Sequence, residues 1–321
     1  MGSYQSKDNR RDFRFKSFGK SSKESILSCD YSDPPSNPNF ANVRVIGGRI
    51  FHDVGSSAYF LPHDNREQDR LLIHHYCIKL AFQGNLIAPV EHLLNEGSRV
   101  LDVGCGPGYW ALEVAHDFPM TDVYGIDLVA TYPAAIRPAN THFYIGNIVE
   151  GLAFPDNFFD FIQMRTFIAA LRMHEWPLAI KEIMRLLKPG GWVQLVEPDE
   201  KLWRLNAESN VFYNSLLAIA SNAGLDLSVA KRIPGMMRSQ GFERVDNPRT
   251  SIPIGPWRGQ LGQMMADDLT EGFIGATQLF APALELTTDE YERLVRKMVD
   301  DCNQCTSYHN WYGNIGCKPS R

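Results

Sequence analysis

Nowhere does the chain string together the roughly 18 apolar residues that a membrane-crossing helix needs. Its first residues carry no apolar core of the kind that marks a secretory leader, so neither a membrane span nor export is expected. A basic surplus is missing as well. Lys and Arg number 32 against 37 Asp and Glu, a formal net charge of −5. A protein that depends on many phosphate contacts carries a basic face, so nucleic acid is not an expected partner. Cysteine is sparse and scattered, at Cys29, Cys77, Cys105, Cys302, Cys305 and Cys317. That spacing suits free thiols in a reducing compartment, the cytoplasm with the nucleus left open. Cys302 and Cys305 form one CxxC, but no second CxxC or HxxxH lies nearby. A structural zinc site needs four ligands, and His309 and Cys317 would have to complete it, so no metal is expected. Internal repeats are also lacking.

What remains is an ordinary globular composition, 44% hydrophobic and 21% charged over 321 residues. Residues 1–40 are rich in Ser, Lys, Arg, Asn and Asp and end in Asp33-Pro34-Pro35-Ser36-Asn37-Pro38. Such a segment cannot bury enough apolar surface to offset chain entropy, so a disordered tail is expected, through which a protein partner could be contacted. The remainder, 41–321, reads as one domain in three parts.

Residues 59–95 read as N-terminal helices. The first is capped by Asp64 or Asn65 and runs through Glu67, Leu71, His75, Ile78 and Phe82; a short second one spans Ile87 to Leu94. Residues 96–199 alternate strand and helix: strands at Arg99–Val103, Asp122–Ile126, Thr141–Ile145, Phe159–Met164 and Trp192–Val196. Helices fall at Tyr109–Phe118, around Ala134 and at Pro177–Leu187. Alternation of this kind implies a doubly wound parallel sheet with right-handed crossovers. In 200–321 helices are expected near 207–223, 229–240, 258–280 and 288–301, with strands at Val245–Ile254 and Thr306–Tyr312. The long helical interval before the last strand is a candidate lid and substrate region.

The central signal is Val100-Leu101-Asp102-Val103-Gly104-Cys105-Gly106-Pro107-Gly108, placed after a strand and before a helix. Glycines there allow positive φ and let the backbone approach a ligand with no Cβ in the way. Open α/β sheets bind ligands beyond the carboxyl ends of their strands. Asp127 ends the next strand, about 20 residues on, where an acid can meet ribose hydroxyls. A nicotinamide or an adenosyl cofactor would satisfy that much. Three details favour the adenosyl one. The spacing is GxGxG, not GxGxxG. Pro107 removes an N–H that a pyrophosphate would use. Asp102 sets a carboxylate where it repels a pyrophosphate but attracts an ammonium and a sulfonium.

These residues resemble the class I, Rossmann-like S-adenosylmethionine-dependent methyltransferases. Val100–Gly108 resembles the first motif of that family, and Val123-Tyr124-Gly125-Ile126-Asp127 its ribose-binding strand end. Asn147 stands at the position that meets the adenine amino group, with Ile148 beside the ring. Asp156–Phe161, followed by Gln163-Met164-Arg165, resembles the run into the fourth strand, and Leu186–Trp192 the turn into the fifth. Tyr59-Phe60-Leu61-Pro62 resembles a segment that precedes the first helix in fungal members. The resemblance implies a seven-stranded, mostly parallel sheet with an antiparallel last strand. It implies S-adenosyl-L-methionine as cofactor, held by Tyr59, Asp102, Gly104, Cys105, Gly106, Gly108, Asp127, Leu128, Asn147, Ile148, Met164 and Arg165.

On the acceptor side, Glu197 and His309 are the expected catalytic pair, with Asp199, Arg165, His174 and Tyr308 as further candidates near the strand ends. His74 and His75 are expected to be solvated or packed on their helix. The Asp/Asn-Pro-Pro-Tyr motif of amide and adenine methylation is absent, since Arg165-Thr166-Phe167 follows Met164. The later aromatics suit an apolar pocket for a small or medium-sized organic acceptor, a specialised metabolite among the options. The alternative is a regulatory methyltransferase-like protein that acts on or with protein partners in fungal secondary metabolism.

Overall fold

A computed structural model describes residues 43–55 and 57–320. The expected tail, residues 1–40, lies outside the described residues. The chain enters through a hairpin, β1 (Val43–Ile46) and β2 (Arg49–His52), paired Val43 to His52 and Ile46 to Arg49. Gly47 and Gly48 both hold positive φ, +57° and +77°, as a two-residue hairpin turn requires. Arg49 then pairs with Asp64, 2.9 Å from Nη2 to Oδ1. Asp64 is the N-cap of α1 (Asn65–Ala81), so the hairpin is tied to the start of that helix. The hairpin was not expected, although an apolar-alternating run broken by Gly-Gly is its signature.

The sheet follows in chain order. β3 (Arg99–Val103) leads through α2 (Tyr109–Asp117) to β4 (Asp122–Asp127), then β5 (Thr141–Ile145) and β6 (Phe159–Arg165). Next come α3 (Trp176–Leu186) and β7 (Leu187–Trp203). Then follow α4 (Ala207–Asn222), α5 (Ile233–Ser239), β8 (Glu243–Asp246) and β9 (Arg249–Pro253). Three helices, α6 (Gly259–Gly275), α7 (Thr277–Ala283) and α8 (Thr288–Gln304), precede β10 (Tyr308–Cys317). The spatial order is β5-β4-β3-β6-β7-β10-β8, with β9 also on β10. Pairs among β3 to β7 are parallel, and β10 runs antiparallel to β7. This is the expected mostly parallel sheet. Its edge position is shared by β8 and β9, because Pro248 has no N–H for the ladder and breaks the single strand expected there.

The strand expected at Trp192–Val196 runs from Leu187 to Trp203, the helix expected near 258–280 is the pair α6 and α7, and three further elements differ for local reasons. The short helix at 87–94 shrinks to a 3₁₀ turn, Glu91–Leu93, since Pro89 removes an interior donor. No helix forms around Ala134, between Pro133 and Pro138. The last strand continues past Tyr312 to Cys317. Gly313 and Gly316 carry it through tight quarters, where an added Cβ would meet Ile87 at 2.7 Å and Met237 at 2.5 Å.

One face of the sheet is covered by α3, whose Trp176, Ala179, Ile180 and Ile183 are buried at helical spacing. The other face is covered by α2 through Trp110, Ala111 and Val114. Trp176 is fully buried. Trp176→Ala should therefore lower the unfolding free energy by about 3–5 kcal/mol, read as a lower urea midpoint at unchanged m-value.

Candidate functional site

The parallel register sets Asp102 of β3 opposite Gly125 of β4 and brings both strands to their carboxyl ends together. Beyond β3 the chain turns through Gly104, Gly106 and Gly108, at φ +65°, +52° and +83°. A Cβ on Gly104 would lie 2.5 Å from the Phe167 ring, so only glycine fits there. The Cys105 N–H donates to the Ile126 carbonyl at 2.9 Å and pins the turn to β4. Asp127 Oδ2 accepts from the Gly106 N–H at 2.8 Å and Oδ1 from the Val129 N–H at 3.1 Å, which fixes its carboxylate.

Asp102 is 3% exposed and lines the same cavity. No described residue donates a hydrogen bond to its side chain. Burial pushes its pKa up to about 7; the nearby Asp127 carboxylate adds to this and the Arg165 guanidinium opposes it. A buried carboxylate without a donor is costly, so this group is set for a cationic partner from outside the chain.

The cavity is roofed by the segment from His52 to His74 and floored by the ends of β3, β4 and β6. Tyr59, Asp102, Gly104, Cys105, Gly106, Asp127, Leu128, Asn147, Ile148 and Arg165 all line it. Asn147 turns its amide to Glu150 Oε1 at 2.8 Å, while its Oδ1 accepts from the Val149 N–H at 3.1 Å. Tyr59 stacks on His52 with ring centres 5.7 Å apart. Gly108 and Met164 do not line the cavity. Gly108 is the left-handed N-cap of α2 packed on Phe143, and Met164 is buried in the core beneath the sheet.

The expected catalytic pair stands elsewhere. Glu197 is fully buried behind the cavity, where its carboxylate accepts from the backbone N–H groups of Phe167 at 2.7 Å and Ile168 at 3.0 Å. Burial raises its pKa to about 8, with those donors opposing the rise. His309 is buried with Nε2 donating to the Asp199 carbonyl at 2.6 Å. Asp199 pairs with Lys231, Tyr308 stacks on Trp203, and His174 is exposed. None of these lines the cavity. No residue after Glu175 does, so the helices inserted before β10 are not its wall.

Sequence reading missed the polar face of α1. Glu67, Arg70 and His74 recur at helical spacing, and all three line the cavity, His74 included, contrary to the packed or solvated role expected for it. The signal was present: polar residues at i, i+3 and i+7 on a helix that must bury that stripe. His75 is buried on the neighbouring stripe. Its Nδ1 accepts from Arg165 Nη2 at 2.8 Å, and its Nε2 donates to Glu113 at 2.9 Å. Burial pushes this histidine down to about 4, so it stays neutral and can bridge the guanidinium and the carboxylate.

An open sheet with a reversed last strand, a glycine turn and acids at two adjacent strand ends defines a Rossmann-like domain for an adenosyl cofactor. A family model described as a methyltransferase domain matches residues 100–191. The methyltransferase pytC of Aspergillus terreus is 27% identical over 264 residues, covering 76% of this chain and 77% of that one. The secondary metabolism regulator LAE1 of Cochliobolus heterostrophus is 28% identical over 298 residues, covering 88% and 94%. Among solved structures, a phosphoethanolamine N-methyltransferase 2 from Haemonchus contortus with S-adenosyl-L-methionine has TM-score 0.46 and 20% identity, over 78% of this chain and 57% of that one. The chain is a class I S-adenosylmethionine-dependent methyltransferase.

The Asp102 carboxyl binds its proton more tightly in the folded chain than in the unfolded one, where its pKa is 3.8. Its ionisation therefore opposes folding, increasingly as pH rises from about 4 to about 7. Asp102→Asn should raise the melting temperature of the ligand-free protein at pH 8, with the gap narrowing toward pH 4, while cofactor affinity is lost. A variant less stable than wild type at pH 8 would refute the buried, donorless carboxylate.

Proposed function

We propose that the cavity holds S-adenosyl-L-methionine and that the chain transfers its methyl group to a small or medium-sized organic acceptor of specialised metabolism. The observation that carries this is the Asp102 carboxylate: buried, facing the cavity and given no donor by the described residues. The cofactor's ammonium supplies that donor. Asp127, oriented by its two backbone bonds, holds the ribose hydroxyls. Leu128 and Ile148 take the adenine, with Asn147 at its amino edge and Tyr59 over the methionine end. Gly104, Cys105 and Gly106 give the backbone close approach; Gly108 and Met164 shape this half of the site from behind.

The cofactor brings a methyl group already activated on a sulfonium. What the protein adds is positioning and the exclusion of water. Glu197 serves this indirectly, because it fixes the backbone at Phe167 and Ile168, which flanks the cavity. The similarity to pytC, named a methyltransferase, supports an enzyme, and we place its action in the cytoplasm.

A second reading is favoured by LAE1, named a regulator and matched over 94% of its length. In it the chain acts on or with protein partners, in the nucleus as well, through residues 1–40. Removing that segment would then abolish partner capture and leave cofactor affinity intact. Methyl transfer from labelled cofactor into a metabolite extract tests the first reading; label confined to protein favours the second.

Cofactor binding should be coupled to the ionisation of Asp102. A bound ammonium favours the carboxylate, so affinity is full above about pH 7 and falls as pH drops, by up to tenfold per unit. Calorimetric titration with S-adenosylhomocysteine between pH 5.5 and 8.5 reads this. A flat profile would remove Asp102 from the ammonium site.

A further inference from the structure

One polar cluster on the cavity wall is unused by the cofactor reading above. His74, buried on α1, presents Nδ1 at 2.8 Å from Asp268 Oδ2 and Nε2 at 3.0 Å from Thr166 Oγ1. Asp268 belongs to α6, 194 positions away in the chain, and does not itself line the cavity. Arg70 Nη1 meets its other oxygen at 2.6 Å. The same guanidinium grips Glu67 from Nε and Nη2, the closest contact being 2.6 Å. Its contacts with His74 and with Arg70 hold the Asp268 carboxyl below its ordinary range against the effect of burial, so it is ionised.

Those contacts fix the imidazole. An ionised carboxylate can only accept, so Nδ1 carries a proton; in the neutral imidazole that a base requires, Nε2 then carries the lone pair. The Thr166 hydroxyl then donates to Nε2 and turns its own lone pairs elsewhere. Thr166 sits at the carboxyl end of β6, on the cavity wall, at φ +61°. A β-branched residue in that left-handed conformation is strained and persists where the surroundings over-determine it. Here the Thr166 N–H donates to the Val196 carbonyl at 3.0 Å, and Glu197 binds the next two N–H groups.

We propose that His74 is the general base for the methyl acceptor, that Asp268 is its positioning residue, and that the acceptor group is a phenolic or enolic hydroxyl. This rests on the methyltransferase reading above. In the step, an oxygen lone pair of the acceptor forms the O–CH₃ bond while the C–S bond breaks and its electron pair returns to sulfur. The hydroxyl proton passes to His74 Nε2, directly or through Thr166 Oγ1. Counted as two carboxylates and one guanidinium, Glu67, Asp268 and Arg70 carry a net charge of −1. The imidazolium that results brings the buried cluster to neutrality. A thioether acceptor has no proton to give and makes no use of this arrangement. Aliphatic alcohols hold their proton too tightly for an imidazole to take, whereas phenols and enols do not. The cavity suits that class: Leu61, Pro62, Ala169, Ala170 and Leu171 give it apolar lining alongside the polar cluster around His74.

The groups packed around the imidazole are Glu67 and Arg70 from α1, Asp268 from α6 and Thr166 from β6. His309 of β10 shares the Trp311 ring with it, at ring distances of 5.4 Å for His74 and 5.9 Å for His309.

The test uses the full chain, S-adenosylmethionine labelled in its methyl group, one- to three-ring phenols as hydroxyl probes and N-acetylmethionine amide as the thioether probe. Transfer to a phenol is expected. His74→Gln should lower that rate about 10²- to 10³-fold at saturating cofactor, with S-adenosylhomocysteine affinity within about threefold of wild type. Asp268→Asn should lower kcat and leave KM for the phenol nearly unchanged. Long-range ¹H–¹⁵N spectra of the unliganded protein give a readout free of turnover: His74 protonated at Nδ1 in wild type, with that tautomer lost in Asp268→Asn. Transfer only to the thioether, no transfer to any phenol, an undiminished rate in His74→Gln or a proton on Nε2 would each overturn the proposal. Failure to bind S-adenosylhomocysteine at all would instead overturn the methyltransferase reading beneath it.

Discussion

Two acids at the carboxyl ends of neighbouring parallel strands, Asp102 and Asp127, set the terms for everything around them. The register of β3 on β4 fixes where each lies, and the glycine turn between them fixes what can approach. The two are treated differently. Asp127 receives backbone donors from Gly106 and Val129 and is held in one orientation. Asp102 receives no hydrogen bond from the described residues and is buried nonetheless. A group in that position works against folding whenever it is ionised, so its presence is explained by a ligand and not by the fold. Local rules fail here in the way expected of a functional site.

The walls that face these acids are tied together by polar links between distant segments. Glu197 ties the strained turn after β6 to β7, and Arg165, His75 and Glu113 join β6 to α1 and α2. Arg70 joins α1 to α6 through Asp268, and Arg49 joins the hairpin to the cap of α1. Apolar contacts tolerate sliding, since a methyl group loses little by moving half an ångström. A guanidinium between two carboxylates does not, because removing a partner leaves a charge uncompensated in a low dielectric. Segments far apart in sequence are therefore registered to one another around the cavity.

The cavity-lining residues expected on the cofactor side were legible in the sequence because most are local to one strand–turn–helix unit and the strand after it. Asp102, the three glycines and Asp127 lie within 26 consecutive positions, and the register that unites them is the default of a right-handed crossover. Element types followed from periodicity, and the ends of β3 and β5 fell where expected. Errors gathered at prolines and glycines: Pro89 cut a helix short, Pro248 split a strand, and Gly313 and Gly316 prolonged one that had been expected to end. His309 was placed on the right strand, and Glu197 just past the end of one that in fact runs on to Trp203. Their burial behind the cavity depends on which way a strand residue faces after a bulge, between His309 and Trp311, that no local pattern announces.

The acceptor half was illegible for the opposite reason. Its handle is an imidazole on α1 whose tautomer is fixed by a carboxylate on α6, across nearly two hundred residues of chain. Neither residue carries a motif, and each alone reads as a packed polar group. The helices inserted before β10 shape the site without reaching it: they deliver one buried carboxylate to the back of a histidine that does. That division suits a family whose relatives bear names as different as methyltransferase and regulator. In the proposed function the cofactor rests on short-range geometry that tolerates little change. The acceptor side is held by a long-range pairing in which one substitution on α6, remote from the cavity wall, alters which nitrogen of His74 carries the proton. Acceptor chemistry in this fold can then shift while the turn at Gly104 to Gly108 stays as it is.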